Sequence, residues 1–349
     1  MRSTKKIIAD LGTGWNLGNS MDCFGGETAW HNPRTTKEMI DAVAAGGFNL
    51  IRIPVTWHEQ TGPAPEYIIR IEWLNRVKEL VDYAYSNGMY VIVNMHHENK
   101  WIIPQRDGFD HVMEKYKIMW KQIAEFFKEY DDHLLLEALN EPRIEYSENE
   151  WTGGSKENRE YVNRLEQCFV DIVRSTGGNN TERSLLVTTV GASTSEEAVS
   201  GLRVPQDKHI IVSVHPYLPH HFCYAKDEVG SLVEWDGSLQ YEIDEAMERL
   251  DSVYLSKGIP VIITEYGAVN KQMVTAAGET VPNEPEVMKW AEYYLKIATR
   301  YGIPCVWWDN GYYSSGDEYF GIFNREKCDW YTPSLKEVII ENTRKRVRS

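Results

Sequence analysis

The feature that most restricts the fold of this sequence is a regular alternation of short apolar runs with longer amphipathic segments. Eight runs, each six to eight residues long, are rich in β-branched and other apolar residues; they cover 12–18, 49–55, 90–97, 134–141, 185–190, 210–217, 260–267 and 304–310. Near-continuous apolar runs of this length are typical of strands that are buried on both faces of a parallel sheet.

The segments between these runs have apolar residues at helical spacing, and several end at glycine. Helices are predicted over 36–47, 72–88, 111–130, 159–176, 241–257, 285–301 and 334–346, with a weaker signal at 194–201. Eight βα units predict an α/β protein of the (β/α)8, or TIM, barrel type. A doubly wound sheet usually has fewer strands and a phosphate-binding glycine loop, and the sequence contains neither GxGxxG nor GxxxxGK(S/T).

The length and the charge of the chain narrow its organisation and its partners. No linker, repeat or low-complexity tract divides the 349 residues, so a single domain over 1–349 is expected. The formal charge of −15 argues against nucleic acid or an anionic membrane surface as a partner. The apolar run at 7–9 is too short for the hydrophobic region of a signal peptide or for a membrane span.

Polar side chains are concentrated at the carboxyl ends of the predicted strands. In a parallel barrel these ends open onto one face, where residues far apart in sequence converge. A single such residue is often only a loop cap, but the repetition over seven strand ends favours a functional site. The residues concerned are Asn16, Asn19, Arg52, His96, His97, Glu98, Asn140, Glu141, His215, Tyr217, Glu265, Tyr266, Trp308 and Asp309.

Two of these residues, Glu141 and Glu265, are expected to face each other across the barrel mouth. A carboxylate pair is the machinery of glycoside hydrolysis, and a separation of about 5–5.5 Å gives retention of configuration. Arg52, with either Tyr217 or Tyr266, can hold one carboxylate ionised. The other supporting groups are Asn140, which can bond the sugar 2-hydroxyl, and His96 and His215, which can bond hydroxyls or orient carboxylates.

Seven motifs, in this order along the chain, carry a resemblance to a known family. They are GWNLGNS (14–20), RIPVTW (52–57), NMHHEN (94–99), ALNEPR (138–143), VHPY (214–217), ITEYG (263–267) and WWDNG (307–311). The set resembles glycoside hydrolase family five, the cellulase family. The segments 30–41, 150–154 and 177–180 are similar to a broad-specificity endoglucanase subfamily that cuts cellulose, mixed-linkage glucan and often xyloglucan.

The resemblance implies a role for each matching residue. Glu141 would be the acid/base and Glu265 the nucleophile, and the other residues around the substrate would be Arg52, His96, Asn140, His215, Tyr217 and Trp308. The sequence departs from the pattern where His31 follows Trp30, a position at which the family has Gly. This departure bears on the shape of a distal subsite on the glycone side.

The aromatic content agrees with a polysaccharide ligand. Twelve Trp and 20 Tyr can supply flat faces that stack on pyranose rings. Trp30, Trp57, Trp101 and Trp235 lie in predicted loops after strand ends, where either a stacking or a core role is open. Neighbouring strand residues point to opposite faces, so only one residue of the Trp307–Trp308 pair can face substrate, and the family pattern favours Trp308.

Several alternatives remain at this stage. His96 and His97 lack the HExxH spacing and an evident third ligand, so they are expected to bind hydroxyls, with no metal and no organic cofactor. Glu137, in the middle of a strand, requires a partner such as Arg52 or must be protonated. A β-mannanase, another β-1,4-glycan hydrolase or a non-catalytic glycan-binding barrel are alternative functions. We expect an extracellular monomer, because polymeric glycans do not enter most cells.

Overall fold

The barrel predicted from the eight apolar runs is confirmed. The computed structural model describes residues 1–224, 230–275, 277–313 and 318–343. Eight parallel strands pair in chain order and the last pairs with the first. They are β1 (Thr13–Asn16), β2 (Leu50–Ile53), β3 (Tyr90–Asn94), β4 (Leu134–Glu137), β5 (Leu185–Thr188), β6 (Ile210–Val214), β7 (Val261–Tyr266) and, after a hairpin of β8 (Gln272–Val274) and β9 (Thr280–Pro282), β10 (Cys305–Trp307).

Ten α-helices accompany the strands within the described ranges, and every predicted helix is present. They are α1 (Thr4–Asp10), α2 (Lys37–Ala45), α3 (Ile71–Ser86), α4 (Phe109–Phe127), α5 (Lys156–Ser175), α6 (Glu196–Gly201), α7 (His220–Cys223), α8 (Gln240–Val253), α9 (Glu284–Tyr301) and α10 (Pro333–Thr343). The last three residues of the helix predicted over 334–346 lie outside the described residues. Within the described ranges, no helix is long and apolar enough to cross a membrane.

Two short helices and two short hairpins were not predicted from the sequence. These are α1, α7, the β8–β9 hairpin and a hairpin of β11 (Phe323–Asn324) and β12 (Asp329–Trp330). Such segments contain too few residues for a period of 2 or 3.6 to become visible.

The lower interior of the barrel is filled by one apolar layer. Each strand from β2 to β7, and β10, contributes to it, and Ile7 of α1 and Leu11, directly after this helix, pack against its lower side. The layer consists of Leu50, Tyr90, Ile92, Leu135, Leu186, Ile211, Ile262 and Val306. The N-terminal helix therefore belongs to the barrel core and closes its amino-terminal end.

A polar layer lies directly above the apolar one. Side chains two positions apart on a strand point to the same face, so the next inward-facing residue on each strand lies two positions after the apolar one. These residues are completely buried: Asn16, Arg52, Asn94, Glu137, Thr188, Ser213 and Thr264. Because polar groups without water must bond one another, this layer has to be an internal hydrogen-bond network.

A second buried cation, Arg183, joins the end of α4 to the barrel. Its guanidinium donates to four backbone carbonyls, those of Phe127, Tyr130, Asp131 and Leu134, and its Nε donates to the side chain of Asn180. Burial lowers the pKa of Arg183 to about 10, although nearby Tyr85 and Asp131 act in the opposite direction. Arg183 therefore closes the carboxyl end of α4, where helix carbonyls have no partner within the helix.

Arg183→Met should lower the free energy of unfolding by about 3 kcal/mol or more, because each buried carbonyl left without a donor costs about 1–3 kcal/mol. Arg203→Met is the matched control. Arg203 pairs with Glu160 on the surface, and such pairs contribute about 0–1 kcal/mol. Urea unfolding of both variants measures the difference. Equal stability losses would contradict the role of Arg183.

Candidate active site

Most of the predicted site residues lie at the carboxyl ends of the barrel strands or one to four residues beyond them. β4 ends at Glu137, so Asn140 and Glu141 belong to the following loop, and His215 follows the last residue of β6. Glu265 is still within β7. The apolar runs of the sequence were therefore longer than the strands, because they continue into buried loop residues that support the site.

Glu265 is held by donors on both carboxylate oxygens. Its Oε1 accepts from Arg52 Nη1 at 2.6 Å and its Oε2 from the hydroxyl of Tyr217 at 2.9 Å. Burial, followed by the charge of Glu265, raises the pKa of Tyr217 well above its usual value, so this hydroxyl stays protonated and donates. The alternative partner, Tyr266, is instead buried and stacks on Tyr294 at 5.1 Å. A cation and a hydroxyl donor stabilise Glu265 as the anion.

Arg52 connects Glu265 to the polar layer. Its Nε donates to Glu137 at 2.6 Å, which confirms the pairing expected for the carboxylate in the middle of β4. The same guanidinium donates to Asn16 at 3.1 Å and to Asn140 Oδ1 at 2.9 Å. Since the Asn140 oxygen is used by Arg52, its amide nitrogen is free to point away from the guanidinium, toward the barrel mouth.

Glu141 lies in a different environment. Its Oε1 is 2.9 Å from His215 Nδ1, and its Oε2 accepts from Arg143 Nη1 at 3.3 Å. Burial acts to raise the pKa of Glu141, but the hydrogen bond from His215 and the charges of His215, Arg143 and His97 outweigh it and bring the pKa below the usual value. The two glutamates therefore differ in their partners. A guanidinium and a phenol bond Glu265, whereas an imidazole and a second guanidinium bond Glu141.

The two carboxylates are close enough to act on one bond. Oxygens of Glu141 and Glu265, together with a ring nitrogen of His215, lie within 4.8 Å of one another. Retaining glycosidases have carboxyl groups about 5–5.5 Å apart and inverting ones about 6.5–9.5 Å apart. The separation fits a direct attack by one carboxylate and is shorter than the separation in inverting enzymes, which place a water between one carboxylate and the sugar.

His215 is fixed from its other side by the polar layer. Its Nε2 lies 3.0 Å from the hydroxyl of Thr264, and its Nδ1 lies 3.6 Å from Glu265 Oε2. The hydroxyl can donate or accept, so either neutral tautomer of the imidazole can be accommodated. His215 thus holds a fixed position between the two glutamates.

His96 and Trp308 form a stacked pair at the opposite side of the mouth. Their rings are 5.8 Å apart and nearly parallel, at 4°. Burial, with a smaller contribution from His97, lowers the pKa of His96 well below the usual value, so its imidazole is neutral. Trp307 is completely buried, so Trp308 is the member of the pair that lines the mouth. Only glycine fits at position 18, since a Cβ there would be 2.8 Å from the Trp308 ring.

A cluster in the loop after β1 extends the site. Trp30 is half-buried and lies 5.6 Å from the ring of His97. Asp22, which is fully buried, accepts the backbone N–H groups of Asn19 and Ser20 at 3.0 and 2.7 Å. Burial raises the pKa of Asp22, and the proximity of His97, 3.8 Å away, opposes this.

His31 shows why the family pattern has glycine after Trp30. Its φ is +66°, in the left-handed region that favours glycine. Histidine is one of the residues that enter this region more often than most. The loop therefore keeps a left-handed residue at this position despite the departure in sequence.

Several candidate residues have structural roles. Trp57 and Trp235 are buried, so stacking on substrate is excluded for both, and Trp101 is partly covered by Lys115, whose Nζ is 4.0 Å from its ring. Asp309 accepts the backbone N–H groups of Gly311, Ile322 and Phe323 and the indole N–H of Trp15, and thereby organises the loop after β10. Glu98 bonds Trp57, His58 and Trp101, which ties two loops together.

Two clusters of carboxylate and imidazole groups near the mouth have a geometry that could hold a cation, but their carboxylate oxygens already accept hydrogen bonds. Glu141, His215 and Glu265 form one cluster and Asp22, His96 and His97 the other. Arg52 lies 2.6 Å from Glu265, and a guanidinium at that distance repels a second cation. The oxygens of Asp22 accept two backbone donors. The two clusters are therefore better suited to hydrogen bonding with a ligand than to coordination of a metal ion.

Sequence reasoning assigned no role to Arg143, although it lies in the motif that carries Glu141. The side chain is held by Glu150 at 2.8 Å and lies 4.2 Å from the ring centroid of Trp151. Trp151 is 53% exposed, so this group forms an accessible aromatic surface beside Glu141. The order ExxNEPR and the Trp after Glu150 were visible in the sequence, but nothing in it showed that the loop folds back onto Glu141.

Arg143→Met should move the alkaline limb of the kcat/KM profile to higher pH by about 0.5–1 unit. Removing a nearby positive charge raises the pKa of Glu141, which then keeps its proton to higher pH. Arg164→Met is the control, because Arg164 lies over the ring of Phe109 on the outside of the barrel. Hydrolysis rates of a soluble β-glucan between pH 4 and 10 test this. A limb that stays in place in Arg143→Met would refute the coupling.

Comparison with known proteins agrees with this geometry. The family model described as Cellulase (glycosyl hydrolase family 5) matches residues 16–314. Endoglucanase A of Ruminococcus albus is 49% identical over 348 residues, covering 98% of this chain and 93% of that protein.

Solved structures with the same fold include two relevant neighbours. The GH5-4 broad specificity endoglucanase from Clostridium acetobutylicum is 38% identical, with a TM-score of 0.91 over 97% of this chain and 100% of that chain. XEG5A, a xyloglucan-specific endo-β-1,4-glucanase from a metagenomic library, solved in complex with cellotriose, is 39% identical. Its TM-score is 0.91 over 97% of this chain and 98% of that chain. The barrel, the paired glutamates and these relatives together lead to one conclusion: the chain belongs to glycosyl hydrolase family 5, the cellulase family.

Proposed function

We propose that this endo-β-1,4-glucanase cleaves internal bonds of β-glucan chains by double displacement, with Glu265 as the nucleophile and Glu141 as the acid/base. The observation that carries the proposal is the pair of carboxylates within 4.8 Å of each other in two different hydrogen-bond environments. Neither step requires a metal or an organic cofactor.

In the first step, Glu265 attacks the anomeric carbon while Glu141 gives its proton to the leaving oxygen. Arg52 and Tyr217 present Glu265 as an oriented anion. Glu141 must carry a proton at this moment. A bound glucan chain displaces water from the mouth, and this further desolvation raises the pKa of a carboxyl group that is already largely buried.

In the second step, Glu141 acts as the base. Once Glu265 has formed the glycosyl ester, its negative charge is gone, and the repulsion that favoured a proton on Glu141 disappears. Glu141, which gave up its proton in the first step and is paired with His215 and Arg143, therefore stays ionised and takes a proton from the attacking water while the water oxygen displaces Glu265 from the anomeric carbon. Water enters from the side that the leaving group has vacated, so configuration at the anomeric carbon is retained.

The remaining side chains at the mouth serve substrate binding. We assign hydrogen bonding of sugar hydroxyls to Asn140, His96, His97 and Asn19, with Asn140 directed at the 2-hydroxyl because Arg52 fixes its amide. Trp308 and Trp30 are half-buried and offer aromatic faces for pyranose rings.

We extend the proposed substrates to cellulose, mixed-linkage β-glucan and xyloglucan. The xyloglucan-specific relative shares the fold over nearly its whole length. β-Mannan is the alternative on the same machinery, because the carboxylate pair does not discriminate the orientation of the 2-hydroxyl. We further propose a single domain over 1–349 that acts outside the cell as a monomer.

Glu141→Gln and Glu265→Gln should each abolish turnover of β-glucan without loss of the folded state. On 2,4-dinitrophenyl β-cellobioside, Glu141→Gln should still release one equivalent of dinitrophenol rapidly, because this leaving group needs no proton, whereas Glu265→Gln should release none. Glu148→Gln, an exposed carboxylate of the same loop, is the control and should match the wild type. Near wild-type turnover in either active-site variant would exclude the assignment.

A side-by-side assay tests the proposed substrate range. We expect reducing ends to be released faster from barley β-glucan, carboxymethylcellulose and xyloglucan than from mannan, and ¹H NMR of the first product to show the β-anomer. Faster hydrolysis of mannan would establish the alternative, and an initial α-anomer would exclude retention.

A further inference from the structure

We propose that Glu137, which lies below the substrate and does not touch it, controls how much of the Arg52 charge acts on the nucleophile Glu265. Glu137 is then a positioning residue for the reaction. The inference rests on the proposed function, since it requires Glu265 to react as an anion. It adds a carboxylate from the barrel interior to the groups that set the ionisation of the site.

The geometry places a single guanidinium between two carboxylates. Arg52 donates through Nε to Glu137 and through Nη1 to Glu265, both at 2.6 Å. Arg52 and Glu137 have no exposed side-chain surface, and Glu265 is 6% exposed. With so little water present, the two contacts are screened weakly, and each carboxylate affects the other through the shared cation.

The charges in this group do not balance. One cation faces two carboxylates, which leaves a net negative charge inside the barrel when both are ionised. Burial acts to lower the pKa of Arg52, but the charges of Glu137 and Glu265 outweigh it and raise the pKa, so the guanidinium stays protonated. Its positive charge is therefore fixed, and only its distribution between the two carboxylates can vary.

Glu137 has few other partners with which to share its charge. Among the described residues its Oε1 has no hydrogen-bond partner, and its Oε2 has Arg52. Glu166 of α5 is a second buried carboxyl group, and the charge of Glu137 acts on it. Glu166 Oε1 accepts the backbone N–H of Thr188 at 3.0 Å, while its Oε2 is unpartnered within the same ranges.

Glu166 differs from Glu137 in its surroundings. Burial, and to a smaller extent the charge of Glu137, raise the pKa of Glu166 well above its usual value, although the Thr188 N–H acts in the other direction. Burial therefore favours the neutral form of the Glu166 carboxyl group. The structure thus offers two neighbouring buried carboxyl groups, one in contact with Arg52 and one not.

The titratable groups near Glu265 come from three other parts of the barrel. Arg52 reaches it from β2 and Glu141 from the loop after β4. The loop after β6 supplies the others, which are His215, Tyr217 and Tyr224. Of these groups Arg52 is the one that contacts Glu137, so a displaced acid limb reports the coupling through Arg52.

When the charge of Glu137 is removed, the guanidinium of Arg52 no longer shares its positive charge between two carboxylates and interacts more strongly with Glu265. The anion of Glu265 becomes more stable, so it persists to lower pH, and as a weaker base it attacks more slowly. The acid limb of kcat/KM should therefore move to lower pH and kcat should fall. A residue that only supports the fold would lower activity at every pH without moving the limb.

The test measures kcat/KM for 2,4-dinitrophenyl β-cellobioside between pH 3 and 8, since this substrate does not need the acid. For Glu137→Gln we expect the acid limb to move to lower pH by about 1 unit. Glu137→Asp keeps the charge but withdraws it from Arg52, so a smaller shift in the same direction is expected. If the Gln variant does not fold, the Asp variant alone decides.

Glu166→Gln is the matched control. It replaces a buried carboxyl group that does not bond Arg52 with an amide that can still accept from Thr188, so the limb should stay at its wild-type position. The proposal would be overturned if the acid limb of kcat/KM did not move in the folded Glu137 variants. It would also be overturned if Glu166→Gln moved this limb by the same amount.

Failure of the proposed function has a separate signature. In that case Glu265→Gln would remain active on the same substrate. An inactive Glu265→Gln together with an unmoved limb in the Glu137 variants would leave the nucleophile in place and reject only the role of Glu137.

Discussion

The buried guanidinium of Arg52 is the interaction on which the rest of the site depends. It joins its own strand, β2, to three others. The contacts are with Asn16 of β1, with Glu137 of β4 and Asn140 in the loop after it, and with Glu265 of β7. A charge inside a protein costs several kcal/mol unless it is paired and fully hydrogen-bonded, and removing one partner leaves the others uncompensated. The upper barrel is therefore one cooperative polar unit, in which a change in any member alters the position and the charge of the carboxylate at the mouth.

The two active-site glutamates show how one barrel gives different properties to the same side chain. Glu265 is part of a strand and is supported from below by Arg52, so its position is as rigid as the sheet. Glu141 lies in a loop, 16% exposed, and its partners His215 and Arg143 also lie in loops. In the proposed mechanism Glu265, as the nucleophile, needs a fixed approach to one carbon, whereas Glu141, as the acid/base, must serve a departing oxygen and then a water. The division between strand and loop matches this difference.

Much of this arrangement could be predicted from the sequence because the barrel imposes it. Apolar runs of strand length reveal the number of strands, and polar residues at their ends reveal which face carries the chemistry. Even the pairing of Glu137 with Arg52 followed from the cost of burying a carboxylate. The choice between Tyr217 and Tyr266 did not follow, because it depends on strand pleating near an irregular register between β7 and β10. The burial of Trp57 and Trp235 also escaped prediction, since a Trp in a loop can turn inward or outward with the same sequence pattern.

The layering of the barrel interior has a consequence for how such an enzyme can diversify. The residues that hold Glu265 from below lie in the strands, whereas Trp30, His97 and Trp151 are carried by loops. A loop can be lengthened or exchanged without disturbing the polar layer, because the two sets are joined mainly through Asn140, Glu141 and His215. In the proposed function, substrate preference and the support of the nucleophile therefore depend on separate parts of the chain, so that natural variation can change the glycan that is recognised while the reaction stays the same.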